Sequence, residues 1–291
     1  MGYNVTVSVC LPLFNGEEYL HDALLSLKAQ TYKHIELIVS DDNSSDNSLQ
    51  ILEGFKKSVS FPIHIYNHQP SGIGANWNNC IKYVNGKFIC FLFQDDVFDP
   101  EFIEKSVTEI QKDNKIGLVY CKRKFVYQSN NEKHINWIKE YGELHRFWKN
   151  TTINSKQIVN GRELLKDKNL FKHPMNKIGE PTAVMIRKEV FDKIGFFSTE
   201  LKQTLDLEFW YRTMKYYHVL FIDEPLIYFR LHENQASNIN SKSNNNKEIE
   251  RLFKSFRKNI FWCLSFNNKV LLLTNNNKVK FFIKSILRKL K

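Results

Sequence analysis

In the first hundred residues, short β-branched and apolar runs alternate with segments of helical period, and two of the runs end in paired acids. Residues 5 to 11, Val-Thr-Val-Ser-Val-Cys-Leu, read as a strand bounded by Pro12. Glu17 to Gln30 carries apolar residues at 20, 24 and 27 and reads as a helix. A strand at 35 to 39 leads into the polar cluster Asp41 to Asp46, which can cap a helix from Ser48 to Lys57. A short strand, Ile63 to Tyr66, is followed by the permissive loop Ser71-Gly72-Ile73-Gly74 and a helix at about 75 to 84. Asn85-Gly86 then turns the chain into the apolar strand Phe88 to Phe93. This β-α-β-α order with short connections predicts an α/β fold: a doubly wound, mostly parallel sheet with helices on both faces.

In such a sheet, ligands bind outside the C-terminal ends of the strands. Asp41-Asp42 and Asp95-Asp96 stand at two of those ends. Paired carboxylates there suit a cation and a phosphorylated ligand, whereas in a surface loop they only turn the chain. Gly72-Ile73-Gly74 is not a dinucleotide fingerprint: it follows the third strand and lacks the third glycine. Nor is there a Walker A motif.

The net charge of +11 is concentrated near the C-terminus, where residues 247 to 291 hold twelve Lys and Arg against two Glu. A nucleic-acid binder carries its positive charge on the binding face, and here it stands apart from the acidic site, which argues against nucleic acid as a partner. Five cysteines without metal-ligand spacing fit a reducing cytoplasm; Cys10, Cys80 and Cys90 read as small core residues. Neither a secretory signal nor an apolar run of membrane-spanning length is evident.

Beyond Asp99-Pro100, a helix is expected at Glu101 to Gln111 and a long strand at Ile116 to Val126. Residues 127 to 178 read as polar and irregular, with Trp137, Tyr141, Phe147 and Trp148 either lining an acceptor groove or packing the insertion. Pro181 to Lys188 reads as a strand, Glu189 to Ile194 and Leu205 to Tyr217 as helices, and 219 to 222 and Pro225 to Arg230 as further strand. The run 237 to 247 resembles a linker.

Several segments, in order, resemble the inverting GT-A-fold glycosyltransferases of family 2: Val7-Ser-Val-Cys-Leu-Pro-Leu-Phe-Asn15, Leu24 to Tyr32, Ile38-Val-Ser-Asp-Asp-Asn-Ser-Ser-Asp46, Gln94-Asp95-Asp96 and Gly179-Glu180-Pro181. The resemblance spans roughly residues 5 to 235. It implies a nucleotide-diphospho-sugar donor, by default a UDP-hexose or UDP-N-acetylhexosamine, and a glycan or lipid-linked acceptor in capsule, O-antigen or lipooligosaccharide assembly. By the same resemblance the nucleotide meets Pro12, Phe14, Asn15 and Glu17, and Asp41 meets the base. Asp42 either contacts the ribose or structures its loop. Gly72 and Asn78 approach the donor, although Trp77 stands where many relatives carry a basic residue. Asp96 is the main ligand for Mn²⁺ or Mg²⁺, Asp95 faces ribose and metal, and His232 either adds a metal or phosphate contact or is an ordinary polar histidine. Asp206-Leu-Glu-Phe-Trp210-Tyr-Arg212 matches the region of the catalytic base, with Asp206 favoured over Glu208. Leu205 replaces an acid found there in many relatives. The family base takes the acceptor's proton in a single displacement.

The expected organisation is a nucleotide-sugar-binding half at 1–100, an acceptor-binding and catalytic half at 101–235, and a linker with a basic tail at 236–291. Val279, Phe282, Ile283, Ile286, Leu287 and Leu290 fall along one side of a helix whose other sides are basic. Such a helix either lies in an anionic lipid surface, which puts the protein peripherally on the inner face of a bacterial cytoplasmic membrane, or packs on its own domain or another subunit. Two other functions compete: sugar-nucleotide synthesis by a nucleotidyltransferase, and non-catalytic binding to a membrane surface or nucleic acid. The first normally needs an early basic, glycine-rich phosphate loop, and Pro12-Leu-Phe-Asn-Gly-Glu-Glu is opposite in charge.

Overall fold

At the centre of the computed structural model, which describes residues 5–127, 131–235 and 245–274, lies β1 (Val7–Leu13), with all seven residues buried. It runs parallel between β2 (Ile35–Asp41) and β4 (Phe88–Phe91), and β3 (Ile63–Asn67) extends the parallel sheet beyond β2. The pleat sends Cys10 into one apolar core and Val7, Val9, Leu11 and Leu13 into a second on the opposite face. The crossovers α1 (Leu20–Lys28) and α2 (Ser48–Lys56) cover the second core, while α3 (Ile73–Lys82) covers the first with Trp77, Cys80 and Ile81.

Pro12 was expected to end the first strand, yet it lies inside β1 opposite Ser40. The Cys10 carbonyl receives Leu92 N–H, so the Pro12 nitrogen points to the same flank, where pairing with β4 has already stopped at Cys10↔Phe91. No ladder bond is lost there.

Past β4 the sheet becomes mixed. The chain adds β5 (Val97–Phe98), α4 (Phe102–Ile110) and β6 (Ile116–Val126), then α5 (Glu132–Tyr141), β7 (Ile158–Val159) and α6 (Gly161–Leu165). It continues through β8 (Val184–Arg187), α7 (Lys188–Ile194), α8 (Leu205–Met214) and β9 (His218–Arg230). Strand order is β3-β2-β1-β4-β8-β6-β9-β5, with β7 on β9; β8 is antiparallel to both neighbours and β6 is parallel to β9. The two short strands expected at 219–222 and 225–230 are one strand, whose register slips around Pro225. The expected strand at 181–188 begins as a 3-10 turn, Pro181–Ala183.

The described part of the insertion, 131–178, is more ordered than its polarity suggests. Trp148 is buried, and Trp137 stacks on Phe229 with centroids 5.7 Å apart, so both rings pack the insertion against the sheet. Two further helices, α9 (Asn245–Asn259) and α10 (Phe266–Thr274), lie within the region expected as linker and tail. Leu252, Phe256 and Leu272 are wholly buried, Phe256 stacks against Tyr211 of α8, and the Lys215 ammonium donates to the Asn259 carbonyl at 2.8 Å. The amphipathic segment 278–291 and most of the expected linker lie outside the described residues.

Candidate active site

The C-terminal ends of β1, β2 and β4 are tied into one rim. Phe14 N–H donates to Gln94 Oε1 at 3.0 Å, and Gln94 Nε2 returns a bond to the Phe14 carbonyl at 3.1 Å. A Cβ on Gly16 would stand 2.7 Å from the Gln94 side chain, so a larger residue there would push the Gln94 amide out of its present place. Asn15, at φ +46, accepts from Ser45 N–H at 2.8 Å, and Glu17 accepts from the Asn47 backbone and side chain at 2.9 and 2.8 Å. Asn15 and Glu17 thereby lace the loop after β1 to the loop after β2. Pro12 is buried within the strand, and Phe14 stands exposed at the rim.

Asp41 is buried and accepts from the Ser44 hydroxyl at 2.5 Å and from Ser44 N–H, which braces its own loop. Asp42 pairs with His68; burial pushes its carboxyl above the usual range while His68 opposes the shift. Gly72, at φ +98, opens α3. Asn78 on that helix exchanges both side-chain functions with the Phe197 backbone, at 2.9 and 3.0 Å. That geometry makes Asn78 a strut between α3 and the chain at 197.

The acids after β4 meet the far end of β9, more than 130 residues away. Asp95 lies 3.0 Å from His232 Nε2, and its carbonyl accepts from Arg230 Nε at 3.1 Å. Arg230 N–H donates to Asp96 Oδ1 at 3.2 Å, and its guanidinium lies 4.5 Å from the Tyr19 ring centroid while pairing with Asp22 at 3.1 Å. Asp96 is almost wholly buried; burial and the neighbouring Asp95 charge hold its carboxyl well above the usual range. Its Oδ2 makes no well-formed hydrogen bond, the Thr182 hydroxyl being the donor within reach. Beside this cluster, Tyr19, Val126, Tyr127, Arg230 and His232 help to line an open cleft of about 600 Å³.

Among the described residues, no three His, Cys, Asp or Glu side chains form a ready metal-ligand set. The donors present nevertheless fit a divalent cation of the kind that takes one or two carboxylates and completes its shell with substrate phosphates and water. A buried carboxylate oxygen without a well-formed bond, next to a second carboxylate, suits that ion.

Asp206, at the start of α8, accepts from Asn176 Nδ2 at 2.7 Å. Asn176 is itself fixed, because its Oδ1 accepts from Ile178 and Gly179 N–H at 3.1 and 2.9 Å. The adjoining buried Lys177 ammonium donates to the Pro174 and Lys172 carbonyls at 2.9 and 3.2 Å, closing the loop that carries Asn176; burial brings its pKa down to about 8. Burial raises the Asp206 carboxyl to about 7, and the charge of Glu180 adds to that rise. Glu180 also repels Asp96, so one glutamate, paired with Arg123, lies electrostatically between the acidic pair and Asp206. Glu208, the rival to Asp206, points elsewhere: it accepts from Arg212 Nε at 2.7 and 2.9 Å and from the Ser255 hydroxyl. Its ionic partner lies on its own helix and its hydroxyl partner on α9.

Sequence reasoning did not select Gln94, Asn176, Glu180 or Arg230 as site residues. Glu180 was in view within Gly179-Glu180-Pro181, and Gln94 beside the acids. No local pattern marks Asn176 or Arg230, because their partners are remote in sequence.

The chain is similar to known proteins in sequence and in fold. An uncharacterized glycosyltransferase of Rickettsia typhi is 29% identical over 259 residues, covering 89% of this chain and 73% of that protein. One from Haemophilus influenzae is 25% identical over 260 residues, covering 89% and 74%. Some relatives are much longer: the chain spans 38% of one from Rickettsia conorii. S. aureus TarS 1-349 in complex with UDP-GlcNAc has the same fold at TM-score 0.66 and 19% identity, over 92% of this chain and 70% of that one. The mannosyltransferase PcManGT from Pyrobaculum calidifontis, in complex with GDP-Man and Mn²⁺, does so at TM-score 0.61 and 11% identity, over 98% and 80%. The GT-A-like architecture is thus shared, and residues 8–195 match the family described as glycosyl transferase family 2, so this chain is a glycosyltransferase belonging to that family.

Proposed function

We propose that this chain is a metal-dependent, inverting transferase that moves a hexose or N-acetylhexosamine from a UDP-sugar to a hydroxyl of a lipid-linked or glycan acceptor in bacterial surface-polysaccharide assembly. The observation that carries the reading is Asp206: a buried carboxyl brought up to about 7, held in one orientation by Asn176, and linked through Glu180 to the acidic strand end. A base with a pKa near the working pH is suited to proton transfer in the transition state. UDP-GlcNAc in TarS and GDP-Man with Mn²⁺ in PcManGT support a nucleotide-sugar donor on this fold.

In this mechanism Asp206 accepts the acceptor hydroxyl's proton as the acceptor oxygen bonds to the sugar's anomeric carbon from the face opposite the leaving group. The bond from that carbon to the diphosphate oxygen breaks, and its electron pair departs with the nucleoside diphosphate. Asp96 and Asp95, with His232 beside them, would hold the cation, which when bound neutralises charge on the leaving diphosphate. Asn15 and Glu17 stiffen the rim by joining two loops, and the aromatic cleft beside His232 receives the acceptor sugar by ring contact. The protein is expected to work at the inner face of the cytoplasmic membrane.

The direct test is release of nucleoside diphosphate from a panel of nucleotide-sugars with Mn²⁺ and a lipid-linked glycan extract. Donor-selective release, abolished by chelator and by Asp96→Ala or Asp206→Asn, is the expected result. Pyrophosphate release from a nucleoside triphosphate and a sugar phosphate would instead identify a nucleotidyltransferase, and no turnover with competent acceptors would overturn the proposal.

A further inference from the structure

The described residues leave few large apolar side chains exposed, and five of them fall between 262 and 274: Trp262 at 85%, Phe266 at 78%, Val270 at 40%, Leu271 at 39% and Leu273 at 37%. Along α10, positions 266, 270 and 273 share one helix face. The opposite face is docked: Leu272 is wholly buried, Asn268 Nδ2 donates to the Asp167 carbonyl at 2.8 Å, and an Arg257 guanidinium N–H donates to the Leu272 carbonyl at 3.0 Å. The helix is therefore held by its inner side while presenting an apolar outer side where charged residues normally stand. The Lys269 ammonium lies 5.6 Å from the Trp262 ring centroid and 5.8 Å from that of Phe261.

We propose that this outward face, centred on Trp262 and Phe266, seats on an anionic lipid surface. Tryptophan with lysine beside it suits the boundary between acyl chains and headgroups, since the ring is apolar and the ammonium meets phosphate. Charge selects the occupant. Residues 275–291, which follow directly, carry six Lys and Arg and no acid, and α9 adds Lys254, Arg257 and Lys258. A second copy of the chain would bring this positive charge against its like, whereas anionic lipid complements it. No helix among the described residues is long and apolar enough to cross a membrane, so the contact is with the surface. The inference rests on the proposed transfer only for its purpose, which is to meet a lipid-linked acceptor; binding needs no turnover, so the two can fail separately.

The test uses the full chain with vesicles of phosphatidylcholine alone or mixed with phosphatidylglycerol, read by flotation and by quenching of tryptophan by brominated acyl chains. Of the five tryptophans, Trp77, Trp148 and Trp210 are buried, so quenching reports chiefly on Trp262. Binding and quenching are expected with the anionic vesicles and weaken with salt. Trp262→Ser with Phe266→Ser should require at least about tenfold more lipid for half-binding, with an unchanged circular dichroism spectrum. Unchanged binding by that double variant, or no binding of the parent chain to anionic vesicles, overturns the proposal. So does self-association that the same variant abolishes, since a second copy would then cover the face. A Trp262 emission already that of a buried indole without lipid also overturns it, because the chain itself would then cover the ring.

Discussion

Replacing Asp206 by Asn separates the chemistry of that carboxyl from its cost to the fold. The side chain is buried, and its pKa rises from an ordinary 3.8 to about 7, chiefly through loss of water and further through the charge of Glu180. A raised carboxylate pKa means that the folded state holds the proton more tightly than the unfolded chain, so stability falls as pH rises between the two values. Well below pH 4 both states are protonated and the carboxyl costs nothing. Linkage gives a penalty of about 1.5 kcal/mol at pH 5 and about 4 kcal/mol at pH 8. Asparagine has the same shape and no charge, and forfeits at most one of the bonds from Asn176 Nδ2 and Leu207 N–H, worth about 1 kcal/mol. The stability of Asp206→Asn relative to the parent should therefore grow by about 2 to 3 kcal/mol between pH 5 and pH 8, with the variant the more stable at pH 8. Urea unfolding at several pH values measures this directly. Activity should run the other way: the parent's kcat/KM climbs with pH, is half-maximal near pH 7 and reaches its plateau above about pH 8, and the variant is inactive throughout. A stability difference that does not change with pH would refute the reasoning, because it would mean that the carboxyl is not held protonated by burial.

Glu208→Gln should lower stability by about 3 kcal/mol by leaving the buried Arg212 unpaired, while the folded fraction keeps its kcat; a full loss of turnover in folded protein would shift the base assignment to Glu208. In Asp96→Asn, the rise in melting temperature caused by UDP with Mn²⁺ in the parent should vanish, as thermal shift would show, and an unchanged rise would exclude Asp96 from the donor site. Glu248 on α9 accepts from Lys202, Gln203 and Thr204 N–H and from the Thr204 hydroxyl, all through Oε1, just before the helix that carries Asp206. Glu248→Ala should cost about 2 to 4 kcal/mol and lower kcat more than it changes donor KM, as steady-state kinetics would reveal.

Local pattern reached the elements whose cause is local. The strands at Ile35–Asp41 and Ile116–Val126, the helices between them and the burial of Cys10, Cys80 and Cys90 follow from periodicity and from turn residues such as Asn85-Gly86. The positions of Asp95-Asp96 and Asp41-Asp42 at strand ends follow from the same reading. Errors arose where a neighbour in space overrode the local signal. Pro12 continues β1 because its nitrogen faces a flank that β4 has vacated. The polar stretch from 131 to 178 is ordered because Trp137 and Trp148 find partners on the sheet and in its core.

By itself, then, the sequence determined the α/β alternation, the acidic strand ends and the family pattern, because each depends on residues close together in the chain. Tertiary structure alone decided what those acids meet. Asp95 and Asp96 acquire Arg230 and His232 from the end of β9, Asp206 acquires Asn176, and Glu208 is claimed by Arg212 and Ser255. The same packing made residues 245–274 part of the body around α8, since Leu252 and Phe256 fill the core beside it. Burial and charge at a carboxyl are sums over neighbours in space, and linear spacing carries no record of them.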